Sequence, residues 1–383
     1  MQHQCTRCLL DTEIPGVRIT SSGLCSVCTS YDKLWGDWDR IKGKRKEELE
    51  CALENARSQK KAYDVLVPFS GGKDSSYVLY LCRKVYNLHC LAVTFDNGFL
   101  TDHARHNIAR ACEILDVDHV YYGLSKPALM RLYRDLFLKT GFFCPVCMSG
   151  IGVATYRTQA AFDIPLAITG SCFRTEEYVA PEFFLTGETA FLTRTIEDEL
   201  RQKEALPLLS PVGHVYRMGT FSIKAMLARM AGRKVLPYIN MPDYLDWDYD
   251  KIYATIIEHL DWQIPDIRAE HGDCKVDHIV HYIRQQKFPA IKPERLRFSK
   301  LVTCGRLTRE EAQQKIDERS PSADHRPDLE FFLDALSITN KDLENAIADP
   351  LRHMKYIRTP NNFTSRLRTI KNDMLRKMRN RPA

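Results

Sequence analysis

No stretch of this 383-residue sequence approaches the roughly 18 to 20 consecutive apolar residues that a membrane span requires. The opening Met1-Gln2-His3-Gln4-Cys5 lacks a basic segment running into an apolar one. The expectation is therefore a chain without a secretory signal, residing in the cytoplasm. Internal repeats and low-complexity tracts are missing too, so solenoid and fibrous architectures are excluded. There is also little excess of one charge. The net charge is +6, and much of it sits in a terminal segment where Arg366, Arg368, Lys371, Arg376, Lys377, Arg379 and Arg381 face the single acid Asp373. The remainder is close to neutral, which makes a polynucleotide the disfavoured class of partner.

What the chain does contain is ordinary globular material, 44% hydrophobic and 27% charged. Its length suggests two domains, or three if one is small. Cysteine is the exception, with 13 residues, several of them paired as Cys5/Cys8, Cys25/Cys28 and Cys144/Cys147. Without a secretion signal, C-x-x-C pairs point to metal or redox chemistry over disulfides. Cys51, Cys82, Cys90 and Cys112 fall among apolar residues and read as buried, inert thiols.

Residues 1–30 are turn-rich, and 31–61 read as helix, with Trp35, Trp38, Ile41 and Leu49 among many charges. Three apolar runs read as strands: Tyr63 to Phe69, Cys90 to Phe95 and His119 to Tyr122. Helical spacing separates them, at Tyr77 to Val85 and at Ala104, Ile108, Ala111 and Leu115. This alternation predicts an α/β fold with a parallel sheet, continued by Pro165 to Gly170 and covered by helices near 131–139 and 151–162. Beyond about residue 245 the pattern turns helical, at 250–260, 276–287, 308–317, 328–336 and 340–347.

The richest local signal is Ser70-Gly71-Gly72-Lys73-Asp74-Ser75-Ser76, directly after a buried strand and before a helix. Glycines let the backbone approach a phosphate, and the helix start supplies unpaired N–H groups and the positive dipole end. Lys73 adds a cation and Ser70, Ser75 and Ser76 add hydroxyls. Asp74 fits beside phosphates when Mg²⁺ lies between them. A Walker A loop is excluded, since Val67 stands where its first glycine belongs. The segment resembles the S-G-G-x-D-S signature of PP-loop ATP pyrophosphatases. That resemblance implies ATP held for attack on its α-phosphate, with pyrophosphate released and the substrate oxygen adenylated. It also implies an adenosine seat at Phe95 and Asp96, and a further ligand loop at Thr169-Gly170.

Two cysteine motifs follow. Cys5-x2-Cys8-x16-Cys25-x2-Cys28 has the spacing of a closed four-thiolate site for structural Zn²⁺. Cys144-Pro145-Val146-Cys147 carries four readings: part of a 4Fe-4S site, a persulfide carrier, a redox pair, or two packed thiols. A cluster would need a further thiolate, for which Cys172, Cys274 and Cys304 are candidates. Lys73, Asp74, Cys144 and Cys147 are the expected catalytic set. General-base candidates are His103, His106, Glu176 and Glu177.

Nearly the whole chain resembles the N-acetyl sugar amidotransferase family of surface-polysaccharide biosynthesis. The likeness rests on Cys5 to Thr12, Gly23 to Cys28, Ser70 to Ser76, Thr101-Asp102, Asn107-Ile108 and Lys300 to Ala312. It implies four regions: a zinc ribbon (1–30), a helical linker (31–61), a PP-loop domain (62–245) and a helical C-terminal domain with a basic tail (246–383). It further implies that ammonia displaces AMP to form an amidine on a nucleotide-linked sugar, with glutaminase and cyclase-like subunits as ammonia suppliers. Cys144 and Cys147 resemble instead a pair in PP-loop sulfur-transfer enzymes, including tRNA thiolases, where sulfur takes the place of oxygen. Gly170 to Glu199 is expected to shape the acceptor pocket.

Overall fold

A computed structural model of the chain describes residues 4–14, 17–171, 174, 237–265, 272–287, 293–317 and 326–349. The basic tail and most of the 170–199 segment lie outside these residues.

Strand β1 (Val65–Pro68) has an unbroken apolar sequence, which suits a strand covered on both faces. It pairs in parallel with β2 (Cys90–Asp96) on one side and with β4 (Leu166–Thr169) on the other, Val65 standing opposite both Cys90 and Leu166. Outside these run β3 (Asp118–Gly123) and β5 (Tyr238–Asn240), giving a five-stranded parallel sheet of order β3-β2-β1-β4-β5. The chain winds outward through β2 and β3 and then returns to the far side of β1. The carboxyl end of β1 is therefore the switch point, where an open parallel sheet leaves a ligand crevice. The Ser70–Ser76 loop begins there.

Alternate residues of each strand enter different layers. Val65, Val67, Ala92 and Ile168 pack beneath α2 (Trp38–Ser58), α3 (Lys73–Tyr80), α4 (Asp102–Leu115) and the later helix Tyr249–Leu260. Leu66, Leu91, Val93, Phe95 and Ala167 pack beneath α5 (Lys126–Thr140) and α6 (Cys144–Ala161), in the layer that also receives the N-terminal cysteines and the remaining C-terminal helices.

Some local expectations change. The helix expected over 31–61 is two, α1 (Ser26–Trp35) and α2, because Gly36 turns to φ +56° and returns its N–H to Asp32 O. The helix expected near Ile151 starts earlier, so Cys144-Pro145-Val146-Cys147 is its first turn, with proline where the missing N–H does no harm. Helix Pro293–Thr303 and strand β5 were not foreseen, β5 being three residues long.

The four N-terminal thiols are fully buried, and their sulfurs all lie within 4.8 Å of one another. Cys8 Sγ is 3.6 Å from Cys25 Sγ, and Cys5 Sγ is 3.9 Å from Cys28 Sγ. Tetrahedral Zn²⁺ with Zn–S near 2.3 Å would hold its sulfurs about 3.8 Å apart. The residues present thus fit a metal of that kind. Hydrogen bonds from Cys25, Cys8 and Thr303 pull the Cys28 thiol below its ordinary range. The ribbon is also bolted to the C-terminal helices. Thr303 Oγ1 is 3.3 Å from Cys28 Sγ, Ser299 Oγ accepts from Leu9 N at 3.2 Å, and Arg309 donates to the carbonyls of Cys5 and Cys8.

Candidate active site

The Ser70–Ser76 loop is held open by bonds among its own atoms. Gly72 N donates to Ser70 Oγ at 3.3 Å, Ser70 N to Ser75 Oγ at 3.3 Å, and Ser75 Oγ to Gly72 O at 3.2 Å. Gly72 caps α3 without a side-chain bond, so the free end of the helix faces the loop. From outside, Trp262 Nε1 and Asn107 Nδ2 both donate to Gly71 O, at 3.0 and 3.3 Å. Gly71 itself has φ +77°, and a Cβ there would stand 2.4 Å from Ala104 O and 3.0 Å from Ile108 Cγ1. Gly71→Ala should therefore cost about 2–4 kcal/mol, from left-handed backbone and overpacking together. A lowered thermal midpoint, with ATP affinity falling further than stability alone dictates, would check this; an unchanged midpoint would refute it.

Asp74 sits in the first turn of α3. Its Oδ1 accepts from Trp247 Nε1 at 2.7 Å, and its Oδ2 pairs with Lys73 Nζ at 2.7 Å. Gly170 lies directly against it, since a Cβ on Gly170 would meet the Asp74 backbone at 2.9 Å. Thr169 Oγ1 donates to Asn240 Oδ1 at 2.7 Å. The loop at 169–170 and the start of α3 thus form one wall. Ser76, by contrast, is wholly buried and its hydroxyl faces the core.

At the end of β2, Asp96 accepts from Gly98 N at 3.0 Å, and Arg105 is 3.8 Å away. The Phe95 ring is buried against Gly150 of α6, so the strand end offers a nucleotide its main chain and not the Phe95 ring.

The thiols of α6 come next. Cys147 Sγ accepts from Asn97 Nδ2 at 3.5 Å, and Tyr133 Oη donates to Asn97 O at 3.2 Å. Cys274 pairs with Leu100 in an isolated bridge and packs against the same layer as Cys144 and Cys147. Burial is the main reason that the Tyr133 hydroxyl is pushed well up, with Cys147, Cys274 and Cys144 adding to it. Burial also pushes the Cys147 thiol up to about 11, and Cys274 upward with Cys147 and Cys144 contributing. With their thiols raised by burial, Cys147 and Cys274 would become thiolate when a metal centre compensates the charge. Cys144, Cys147 and Cys274 pack against one layer, and thiols are the donor type that an iron–sulfur cluster takes. Cys304 stays apart, among Arg306, Arg174 and Lys300. Cys172, Glu176 and Glu177 lie outside the described residues, and His103 and His106 ride on α4.

One short segment links both half-sites. Thr101 N donates to Asp273 O at 3.1 Å and Thr101 Oγ1 to Gly272 O at 3.1 Å, anchoring 272–274 across the crevice. The Asp273 carboxylate then stands 3.6 Å from where a Cβ of Gly72 would be, while its neighbour Cys274 packs against the layer shared with Cys144 and Cys147. Asp273, Trp247 and Trp262 had no local signal in sequence. They are single polar or aromatic residues far along the chain from what they touch.

Residues 273–371 match the family described as "LPS biosynthesis protein WbpG-like, C-terminal domain". An uncharacterized protein of Methanocaldococcus jannaschii, MJ1599, is 30% identical over 151 residues, which is 38% of this chain and 50% of that protein. The chain thus spans about half the length of this curated relative. Among solved structures, the U34-tRNA thiolase NcsA from Methanococcus maripaludis, with its 4Fe-4S cluster, aligns over 85% of this chain and 93% of its own, at 13% identity and a TM-score of 0.34. That alignment withdraws one expectation. A tRNA-modifying enzyme is among the chains matched, so a polynucleotide is not a disfavoured partner. Charge counted along a sequence does not report how charge is arranged on a surface. Parallel sheet, glycine loop at the switch point, N-terminal four-cysteine cluster and helical C-terminal region together make an α/β fold of the PP-loop type. Among the described residues no helix is long and apolar enough to cross a membrane.

Proposed function

We propose that this chain adenylates a carbonyl or amide oxygen of a small acceptor and exchanges that oxygen for sulfur supplied at Cys144, Cys147 and Cys274. The observation that carries the reading is that Cys274 packs against the same layer as the C-x-x-C turn and follows Asp273, whose carboxylate lies beside Gly72 of the glycine loop. In the first step the acceptor oxygen attacks the α-phosphorus of ATP and pyrophosphate leaves. Ser70, Ser75, Lys73 and the N–H groups at Gly71 and Gly72 hold phosphate, and Asp74 holds Mg²⁺ on the departing pyrophosphate. Phe95, Asp96, Thr169 and Gly170 line the adenosine side. In the second step sulfide-level sulfur adds to the activated carbon, the carbon–oxygen bond breaks, and AMP departs with the oxygen. A 4Fe-4S cluster held by Cys144, Cys147 and Cys274 would supply a binding site for that sulfur.

Nitrogen in place of sulfur is the second reading, supported by the match of 273–371 to a lipopolysaccharide-biosynthesis domain. Adenylation would be the same, and the incoming nucleophile ammonia. Product mass distinguishes the two, because oxygen is replaced by a heavier atom in one and a lighter group in the other. Under the sulfur reading, Cys274→Ala in anaerobically purified protein should leave acceptor-dependent pyrophosphate release near wild type. It should lower sulfur incorporation by about two orders of magnitude. A nitrogen product that is indifferent to Cys274→Ala would select the second reading.

A further inference from the structure

Lys73, the cation of the ATP loop, lies with Nζ 5.0 Å from the centre of the Tyr249 ring. The same ring carries a second cation, Arg306, whose Cζ is 5.7 Å from its centre. Lys73 and Arg306 are 233 residues apart by their numbers, yet one aromatic side chain links them. Lys73 is already committed to Asp74 at 2.7 Å. Arg306 is half-buried and, among the described residues, no carboxylate lies within ion-pairing distance of it.

The backbone around Arg306 is unusually well fixed for a turn. Arg306 N donates to Leu301 O at 2.8 Å, closing the end of the Pro293–Thr303 helix. On one side Thr303 touches Cys28 of the ribbon, and on the other Arg309 grips the carbonyls of Cys5 and Cys8. The ribbon therefore holds the turn from both ends and presents the guanidinium to the ring beside the ATP loop. More positive charge lies behind it, since Arg306, Arg174 and Lys300 all act on the Cys304 thiol. A half-buried guanidinium with no carboxylate partner among the described residues, sharing a ring with the lysine of the glycine loop, has the chemistry to take a phosphate oxygen.

We infer that Arg306 is a phosphate-binding residue of the ATP site, reaching from the ribbon-anchored turn to the β- and γ-phosphates. This rests on the ATP reading above and extends it. In the bare protein the guanidinium waits on Tyr249. With nucleotide it shares the terminal phosphates with Lys73 and offsets the charge that builds on pyrophosphate as it leaves. Because AMP lacks those phosphates, Arg306 should discriminate the two nucleotides. A residue that only supported the fold would affect both alike.

The test is calorimetric titration of the full-length, zinc-loaded protein with Mg·ATP and with AMP, in wild type, Arg306→Ala and Arg306→Lys, with zinc content and circular dichroism measured alongside. Arg306→Ala should weaken Mg·ATP by about ten- to a hundredfold, the range for a lost charged hydrogen bond, and leave AMP within about twofold. Arg306→Lys should recover part of the loss. Unchanged Mg·ATP affinity in Arg306→Ala, or equal losses for both nucleotides, would overturn the assignment. A wild-type chain that binds neither nucleotide would instead overturn the ATP reading itself.

Discussion

Asp74→Asn is expected to reduce acceptor-dependent pyrophosphate release by about three orders of magnitude while leaving the fold in place. The carboxylate stands in the first turn of α3 with its two oxygens engaged differently, one by Trp247 Nε1 and one by Lys73 Nζ, each at 2.7 Å. The tryptophan bond fixes the orientation of the group. The lysine bond balances its charge until nucleotide arrives. With Mg·ATP bound, phosphate oxygens would compete for Lys73, leaving Asp74 as the carboxylate that would hold the metal. In the asparagine variant Oδ1 still receives the tryptophan proton, so packing is kept. The other side becomes an N–H₂ group facing an ammonium, two donors with nothing to accept between them. The site loses its metal ligand and gains a repulsion where charge develops. Steady-state pyrophosphate release with and without acceptor measures this, with thermal unfolding as the control for folding. Activity within tenfold of wild type would remove Asp74 from the proposed mechanism.

The second large effect concerns the ribbon. Replacing Cys25 by serine, or stripping metal with a chelator, should unfold residues 4–28 and loosen the helices that rest on them. Structural zinc contributes on the order of 10 kcal/mol to segments that cannot fold without it. This segment has little core of its own, and Leu9, Leu10, Ile14 and Val17 are buried only because they join the layer shared with the C-terminal helices. The bonds from Arg309, Thr303 and Ser299 end on ribbon atoms. Their loss frees the turn that carries Arg306. Metal removal should therefore lower Mg·ATP affinity at a distance from the nucleotide, alongside a loss of protection from hydrogen exchange in 293–317. If chelation releases zinc and neither property changes, the ribbon is not what holds that turn.

The ATP loop was legible in sequence because its chemistry is local: strand, two glycines, lysine, aspartate and helix follow within about a dozen residues. Gly71 shows why that signal is specific, since its positive φ and the approach of Ala104 O leave room for no side chain. The metal site was legible for the same reason, as cysteine spacing in a short loop determines which sulfurs can meet. Phe95 shows the limit of this kind of inference. Its position at the strand end follows from sequence, whereas the direction of its ring depends on Gly150, 55 residues later by number, which lets α6 come close enough to cover it.

By itself, then, the sequence determined the parallel α/β fold, the place of the glycine loop after its first strand, and the four-thiolate cluster. Each is a pattern of hydrophobic period or spacing confined to one element and its neighbour. Only the tertiary structure brought Cys274 to the layer against which Cys144 and Cys147 pack, set the Asp273 carboxylate beside Gly72, and placed Arg306 over the same ring as Lys73. Those contacts are made by single residues on turns, brought together by the packing of helices on both faces of the sheet. A turn residue's neighbours across the fold depend on how whole elements dock, and no local periodicity encodes that. The glycine loop is written in consecutive residues, and the side chains that surround it are assembled from distant ones.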